Sequence, residues 1–333
     1  MTSPRAPLIE GFLAAAGWQA AQRRPITGDA SFRRYERLTR ESESAVLMDA
    51  PPPENVRPFL AVARLLGSAG FAVPAILAAD DSAGLLLLED FGDDTYTRLL
   101  ARGDSEEHLY ELAVDLLIEL RRRFPIEALA VLPVFDEPRA MEGVGRFLHW
   151  YWPTVQGAPA PAAAAEDFNA AWRMVLPLWD QVPLGLVHYD YHVDNLIMRE
   201  GRSGMGAVGL LDFQDAVRGP CCFDLVSLID DARRDVPREL GTRLIGRYLA
   251  GFPDLERTGF EAAYALSGAQ RDTRILGNFA RLLKRDGKPG YLIHMPRVWR
   301  QLEAQLTHPA LAPVASWFDR YLPPERRRTP EAA

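Results

Sequence analysis

Apolar and polar positions change rhythm several times along the chain. In "MTSPRAPLIEGFLAAAG" apolar residues recur at helical spacing around Glu10, which predicts an amphipathic N-terminal helix rather than a secretion signal. "SFRRYERLTR" and "SAVLMDAPP" are short and β-rich, and their closeness predicts a hairpin. "ENVRPFLAVARLLGSAG" returns to helical spacing through Phe59, Leu60, Ala63 and Leu66, with Gly70 just past its end. "AILAADDSAGLLLLED" reads as two strands about a turn at Asp80 to Gly84.

Beyond Phe91-Gly92 the pattern becomes helical. "SEEHLYELAVDLLIELRRRF" is a strong amphipathic helix, and further helices are expected over about 141–152, 165–180, 221–234, 237–250, 258–286 and 290–305. A β-like island, 186–215, interrupts them, and "GAPAPAAAAED" (157–167) is a Pro/Ala-rich loop leading into a helix. The fold class expected is α+β and two-lobed. A small β-rich N-lobe (1–90) precedes a larger helical C-lobe (91–333), with a hinge near 89–92.

Composition narrows the function classes. A net charge of -7 argues against a nucleic-acid partner, because phosphate-backbone binding needs a basic surface. No apolar run approaches the length of a bilayer span, so no membrane partner is expected. The two cysteines, Cys221 and Cys222, are adjacent and form no disulfide framework, which points to a reducing cytoplasm. A monomer is expected. Lys284 and Lys288 are the only lysines, so any phosphate contact before residue 284 must come from arginine or the backbone.

The chemistry concentrates in "LVHYDYHVDNLI". His188-Tyr189-Asp190, four residues, then Asn195 is the H-x-D-x-x-x-x-N spacing of a kinase-type catalytic loop. In that reading Asp190 accepts the proton of an attacking hydroxyl, Asn195 offers its amide oxygen to Mg²⁺, and His188 braces the loop. The alternative is a polar turn between strands. "AVGLLDFQDAV" then ends an apolar strand at Asp212-Phe213-Gln214, a D-F-G motif with Gln for Gly. A strand-end carboxylate is costly unless it is paired or bound to a cation, and Mg²⁺ shared with Asn195 would supply one. Gly204 to Gly209 fits G-x-G-x-x-G, but it enters a strand rather than a helix and reads as a hairpin turn. Neither a P-loop nor H-E-x-x-H occurs.

These motifs, with "TGDASFRRYERL", "LMDAPPPEN", "LLLLEDFGD" and "LLDFQDAVRGP", resemble the aminoglycoside phosphotransferase family of small-molecule kinases. "RDTRILGNFARLLKRDGKPGYLIHMPRVW" is similar to a segment of its anomeric sugar kinases, which phosphorylate N-acetylmuramate and N-acetylglucosamine at C1 in peptidoglycan recycling. The resemblance covers nearly the whole chain. It implies a protein-kinase-like fold, ATP and Mg²⁺ as cofactors, and a small amino sugar as partner. The Ser31-Phe32 loop would cover the phosphates, and Glu89, Asp90 and Phe91 would serve adenine through backbone groups. Asp224 would brace the catalytic loop.

Two departures stand out. Tyr189 follows His188, where it is expected to alter packing only. Met48 stands where many family members place a phosphate-binding lysine, and Arg33 or Arg34 is the expected substitute, against a reading as exposed strand charge. On the substrate side, Arg271, Arg274, Asn278, Arg281 and Arg285 share one helix face. That face is either a solvated basic stripe or, together with Lys288 and Tyr291, a surface that recognises sugar hydroxyls or the lactyl carboxylate of muramate. The family's aminoglycoside and choline kinases remain alternatives, as does a degenerate kinase fold that only binds ligands. A polycationic aminoglycoside would be repelled by the arginines.

Overall fold

The computed structural model describes residues 5–26 and 32–331. Ser31 therefore lies outside the described residues. By internal contacts the chain forms two compact units. The first comprises the described residues of Met1–Ala113 together with Val193–Asp215, and the second comprises Val114–His192 and Ala216–Ala333.

The first unit is built on a five-stranded antiparallel sheet of β1 (Gln22–Ile26), β2 (Arg34–Arg40), β3 (Glu43–Asp49), β4 (Ile76–Asp80) and β5 (Leu85–Glu89), in the order β1-β2-β3-β5-β4. The expected β2–β3 hairpin runs in register from Arg34 opposite Asp49 to Arg40 opposite Glu43, and its turn places Glu41 at φ 48°. The strand alternation sorts side chains between two faces. Leu38, Ala45, Leu47, Leu85 and Leu87 pack with Ile9, Leu13 and Trp18 of the N-terminal segment, whose helix spans Ala6–Ala15. Fully burying leucines of this kind contributes roughly 1.5–3 kcal/mol each. Met48, one position out of phase with Leu47, pairs with Tyr35 and Leu86 and is 1% exposed. It is a core residue in the centre of the sheet.

Four short strands follow: β6 (Leu184–Val187), β7 (Leu196–Met198), β8 (Val208–Leu210) and β9 (Val217–Pro220). β7 pairs with β8 in the first unit, and a 3₁₀ turn at Gly204–Ala207 leads into β8, as the hairpin reading of the glycines requires. β6 pairs with β9 in the second unit.

The second unit is helical. Its axis is the 30-residue helix Arg257–Asp286. Glu256 starts it by accepting hydrogen bonds from the Thr258 and Gly259 amides, at 2.8 and 2.6 Å, and Gly287 ends it at φ 63°. The helix Glu137–Arg146 packs on it through two glycines. A Cβ at Gly143 would lie 2.8 Å from Gln270 Nε2, and one at Gly277 would lie 2.5 Å from the Arg146 carbonyl carbon. At Gly277 the obstacle is backbone, so only hydrogen permits so close a crossing, whereas at Gly143 the Gln270 amide would have to shift. Among the described residues, no helix is long and apolar enough to cross a membrane.

Several boundaries differ from those expected. The helix predicted at 141–152 starts at Glu137, because Asp136 accepts from the Arg139 amide at 3.1 Å and Pro138 fits a first turn; a π-turn, Phe147–Tyr151, continues it. The helix predicted to reach 234 stops at Ile229. Asp230 leaves helical geometry there, giving its carbonyl to Arg271 Nη1 at 2.8 Å and its carboxylate to Gln305 at 2.6 Å. The helix predicted from 290 begins at Met295, after a 3₁₀ turn at Pro289–His294.

Candidate active site

β6 leads into the loop that carries His188 and Asp190. His188 follows it immediately and is 1% exposed, with its ring edge-on to Tyr191 at 5.6 Å. Asp224, on the helix Phe223–Ile229, accepts from the His188 amide at 2.5 Å and the Tyr189 amide at 3.0 Å. Burial pushes the Asp224 carboxyl up to about 7, although those two amides pull the other way. The bracing clamps a turn in which Tyr189 has φ 83°, a left-handed conformation that an aromatic residue rarely adopts. Asp190 is the next residue. His192 is also buried, and its pKa falls well below the ordinary value, first through burial and then through the Arg233 and Arg271 charges. It is thus neutral.

Tyr189 does more than fill space. Its ring stacks on Phe223 at 5.7 Å and meets Phe135 edge-on at 5.7 Å. The Arg274 guanidinium lies 4.1 Å from the ring centroid and that of Arg139 lies 5.3 Å away. The expectation that Tyr189 affects packing only is thus replaced by a role as a platform for two arginines. Arg139 was missed in the sequence, where nothing local distinguishes it from an exposed helix-start arginine.

In the first unit, the β7–β8 ribbon sets Asn195 and Asp212 near each other. Leu196 pairs with Leu210, and the Leu211 amide donates to the Asn195 carbonyl at 3.0 Å, so Asp212 follows directly on the residue opposite Asn195. Asp212 has φ 57° and a side chain 45% exposed. Gln214 Nε2 donates to Asp212 Oδ1 at 2.9 Å and to Asp215 at 3.3 Å, giving the Gln of "DFQ" a bracing task that the motif did not disclose. Asp194 accepts from the Thr97 hydroxyl and ties the loop to the helix Tyr96–Arg102. One carboxylate and one amide oxygen are hard donors that suit Mg²⁺, which takes few protein ligands and fills its other positions with water and phosphate oxygens.

Arg33 and Arg34 are separated by the strand alternation. Arg34 is exposed. The Arg33 side chain is only 10% exposed, with Nε 3.2 Å from Glu54 and Nη1 3.9 Å from Asp212. Tyr35 is pushed up to about 12 by burial and then by the Asp212 charge. Phe32 is exposed. The Glu89 and Asp90 side chains are engaged internally. Glu89 accepts from the Ala75 amide at 3.1 Å and pairs with Arg199 at 3.0 Å, and Asp90 pairs with Arg37 at 2.7 Å. Phe91 carries the Arg199 guanidinium 4.3 Å from its ring centroid. A nucleotide base would meet backbone groups here.

The long helix divides the expected substrate residues. Arg271 and Arg274 are 4% and 6% exposed, so the stripe is not solvated at this end. Arg271 is held by the Asp230 carbonyl and by Asp272 at 3.5 Å. Asn278 accepts from Arg146 at 3.1 Å. Arg281 is half-buried; burial, then the charges of Arg285 and Arg146, lower its pKa. Beyond the helix end, Tyr291 packs on Phe279 at 5.4 Å, and the Lys288 amide donates to the Leu282 carbonyl at 3.0 Å.

Known proteins bear on this arrangement. Over 98% of its length the chain is 37% identical to an N-acetylmuramate/N-acetylglucosamine kinase of Caulobacter vibrioides, of which it covers 99%. It is 38% identical to a kinase of the same name from Pseudomonas aeruginosa, over 90% of the chain and 89% of that protein. Among solved structures, a choline/ethanolamine kinase family protein from Mesorhizobium loti superposes with a TM-score of 0.64 at 15% identity, covering 93% of this chain and 98% of that one. The ADP-bound aminoglycoside phosphotransferase APH(2'')-Ib gives a TM-score of 0.60 at 15% identity, covering 90% and 98%. These likenesses establish a protein-kinase-like α+β fold with a small sheet-bearing part and a helical majority. A family model described as "Phosphotransferase enzyme family" (APH) matches residues 22–260, and the chain belongs to that family.

Proposed function

We propose that the chain is an ATP- and Mg²⁺-dependent kinase that phosphorylates the anomeric hydroxyl of N-acetylmuramate and N-acetylglucosamine. The observation that carries this reading is the similarity, along nearly the whole chain, to curated N-acetylmuramate/N-acetylglucosamine kinases. Asp190 accepts the proton of the C1 hydroxyl as that oxygen attacks the γ-phosphorus in line and the bond to the ADP leaving group breaks. The anomeric hydroxyl is more acidic than an ordinary alcohol, so an ordinary carboxylate is an adequate base. Asn195 and Asp212 would hold Mg²⁺, which neutralises phosphate charge when bound. Arg33 takes the part of the absent lysine, and Glu54 holds it in place. Glu89, Asp90 and Phe91 serve the base through their backbone. Positioning and charge neutralisation supply most of the rate in such a transfer, which matches the bracing of Tyr189 by Asp224 and of Asp212 by Gln214.

The test is ATP turnover with a panel of both amino sugars, choline and an aminoglycoside, with the phosphorylated carbon located by NMR. Phosphate on C1 of the amino sugars is expected. Turnover of choline or the aminoglycoside in their place, or nucleotide binding without turnover, overturns the reading.

A further inference from the structure

We infer that Arg274 and Arg139, set on the ring of Tyr189, form a subsite for a carboxylate carried by the sugar, namely the 3-O-lactyl group of N-acetylmuramate. The inference rests on the functional reading above and adds the group that distinguishes the two sugars.

Arg274 is 6% exposed, and among the described residues its Nε finds no hydrogen-bond acceptor. A buried cation is strongly unfavourable without a counter-charge. Asp272, whose carboxyl feels the Arg274 charge, makes its ion pair with Arg271 at 3.5 Å. The face of Tyr189 offsets part of the cost at 4.1 Å, but an aromatic face cannot accept a guanidinium's directed hydrogen bonds. Arg139 repeats the arrangement on the same ring, and Arg281 Nε is another buried donor without an acceptor among the described residues. A planar guanidinium is well matched to the two oxygens of a carboxylate.

The placement also fits the sugar. Tyr189 adjoins Asp190 in the chain, so the platform lies one residue from the proposed base. C1 and C3 of a pyranose are separated by a single ring carbon. A group on O3 therefore belongs close to the residue that handles the hydroxyl on C1.

The experiment compares kcat/KM for N-acetylmuramate with that for its neutral primary amide and for N-acetylglucosamine, in wild type, Arg274→Gln and Arg139→Gln. Wild type should favour the acid over the amide by about ten- to a hundredfold, the effect of a charge-assisted contact. Both variants should lose most of that ratio. Arg139 is half-buried, so its variant carries the test if Arg274→Gln fails to fold, as judged by thermal melting. Equal losses on acid, amide and N-acetylglucosamine, leaving the ratios unchanged, would show a positioning role and overturn the subsite alone. A wild type that phosphorylates neither sugar overturns the functional reading and the subsite with it.

Discussion

Arg33 and Arg274 are both largely withdrawn from solvent, yet they keep different company. Arg33, in the first unit, has Glu54 at 3.2 Å and Asp212 at 3.9 Å. Arg274, in the second, has a tyrosine ring at 4.1 Å and an Nε with no acceptor among the described residues. An arginine between carboxylates is fixed in direction and partly neutralised, which suits a group that must hold a polyanion carrying its own metal. An arginine on an aromatic face with an unmatched Nε keeps a donor to offer, which would suit a group that recognises a single anion. Under the proposed reading the same residue type would serve nucleotide and sugar differently, and the neighbours would decide which.

The comparison can be broken most forcefully at the point the two substrates share. Asp190→Asn should lower kcat by ~10²–10⁴ for both sugars alike, the range for removal of a general base, while nucleotide affinity holds. Turnover near the wild-type rate would remove Asp190 from the mechanism. Asp212→Ala should abolish Mg²⁺-dependent nucleotide binding measured by calorimetry, since one neutral amide oxygen is a poor sole ligand. Unchanged Mg-ATP affinity would sink the metal assignment. Arg33→Ala should raise KM for ATP by roughly ten- to a hundredfold without shifting the preference between sugars, whereas Arg34→Ala should stay within about twofold. Two silent variants would leave the phosphates to backbone amides and the metal.

The smallest effect concerns Asp224. An unfolded aspartate titrates near ~3.9, whereas burial holds this one at about 7. Between those values the folded chain keeps a proton that the unfolded chain has released. Stability therefore falls as pH rises through this window and levels off above it. Asp224→Asn should flatten that slope in urea titrations run from about pH 4 to about pH 8. Parallel slopes in variant and wild type would mean that the clamp stays ionised.

The candidate motif stood out in the sequence because its members are local. Asp190 and Asn195 sit five residues apart, and Asp212 ends a visibly apolar strand. The hairpins of the sheet were legible for the same reason, since alternation and turn residues are short-range signals. Arg139 and Glu54 act through partners far away in sequence, and periodicity says nothing about such pairs. The arginine face was ambiguous because a polar stripe reads the same whether water or buried polar groups cover it. Arg271 makes the point: the Asp230 carbonyl that it donates to lies just past the end of the preceding helix, which stops short of its expected length.

The glycine crossing has a consequence for acceptor range. Gly143 also faces the Arg274 side chain, with Cδ 3.4 Å from where a Cβ would stand, and Gly277 abuts the backbone of Arg146. The gap between these two helices is therefore a ruler for the guanidiniums mounted on them. Widening it by one methyl group would move Arg139 and Arg274 apart without changing either, so on the subsite proposed above a route to acceptors with bulkier or differently placed anionic arms would run through helix spacing.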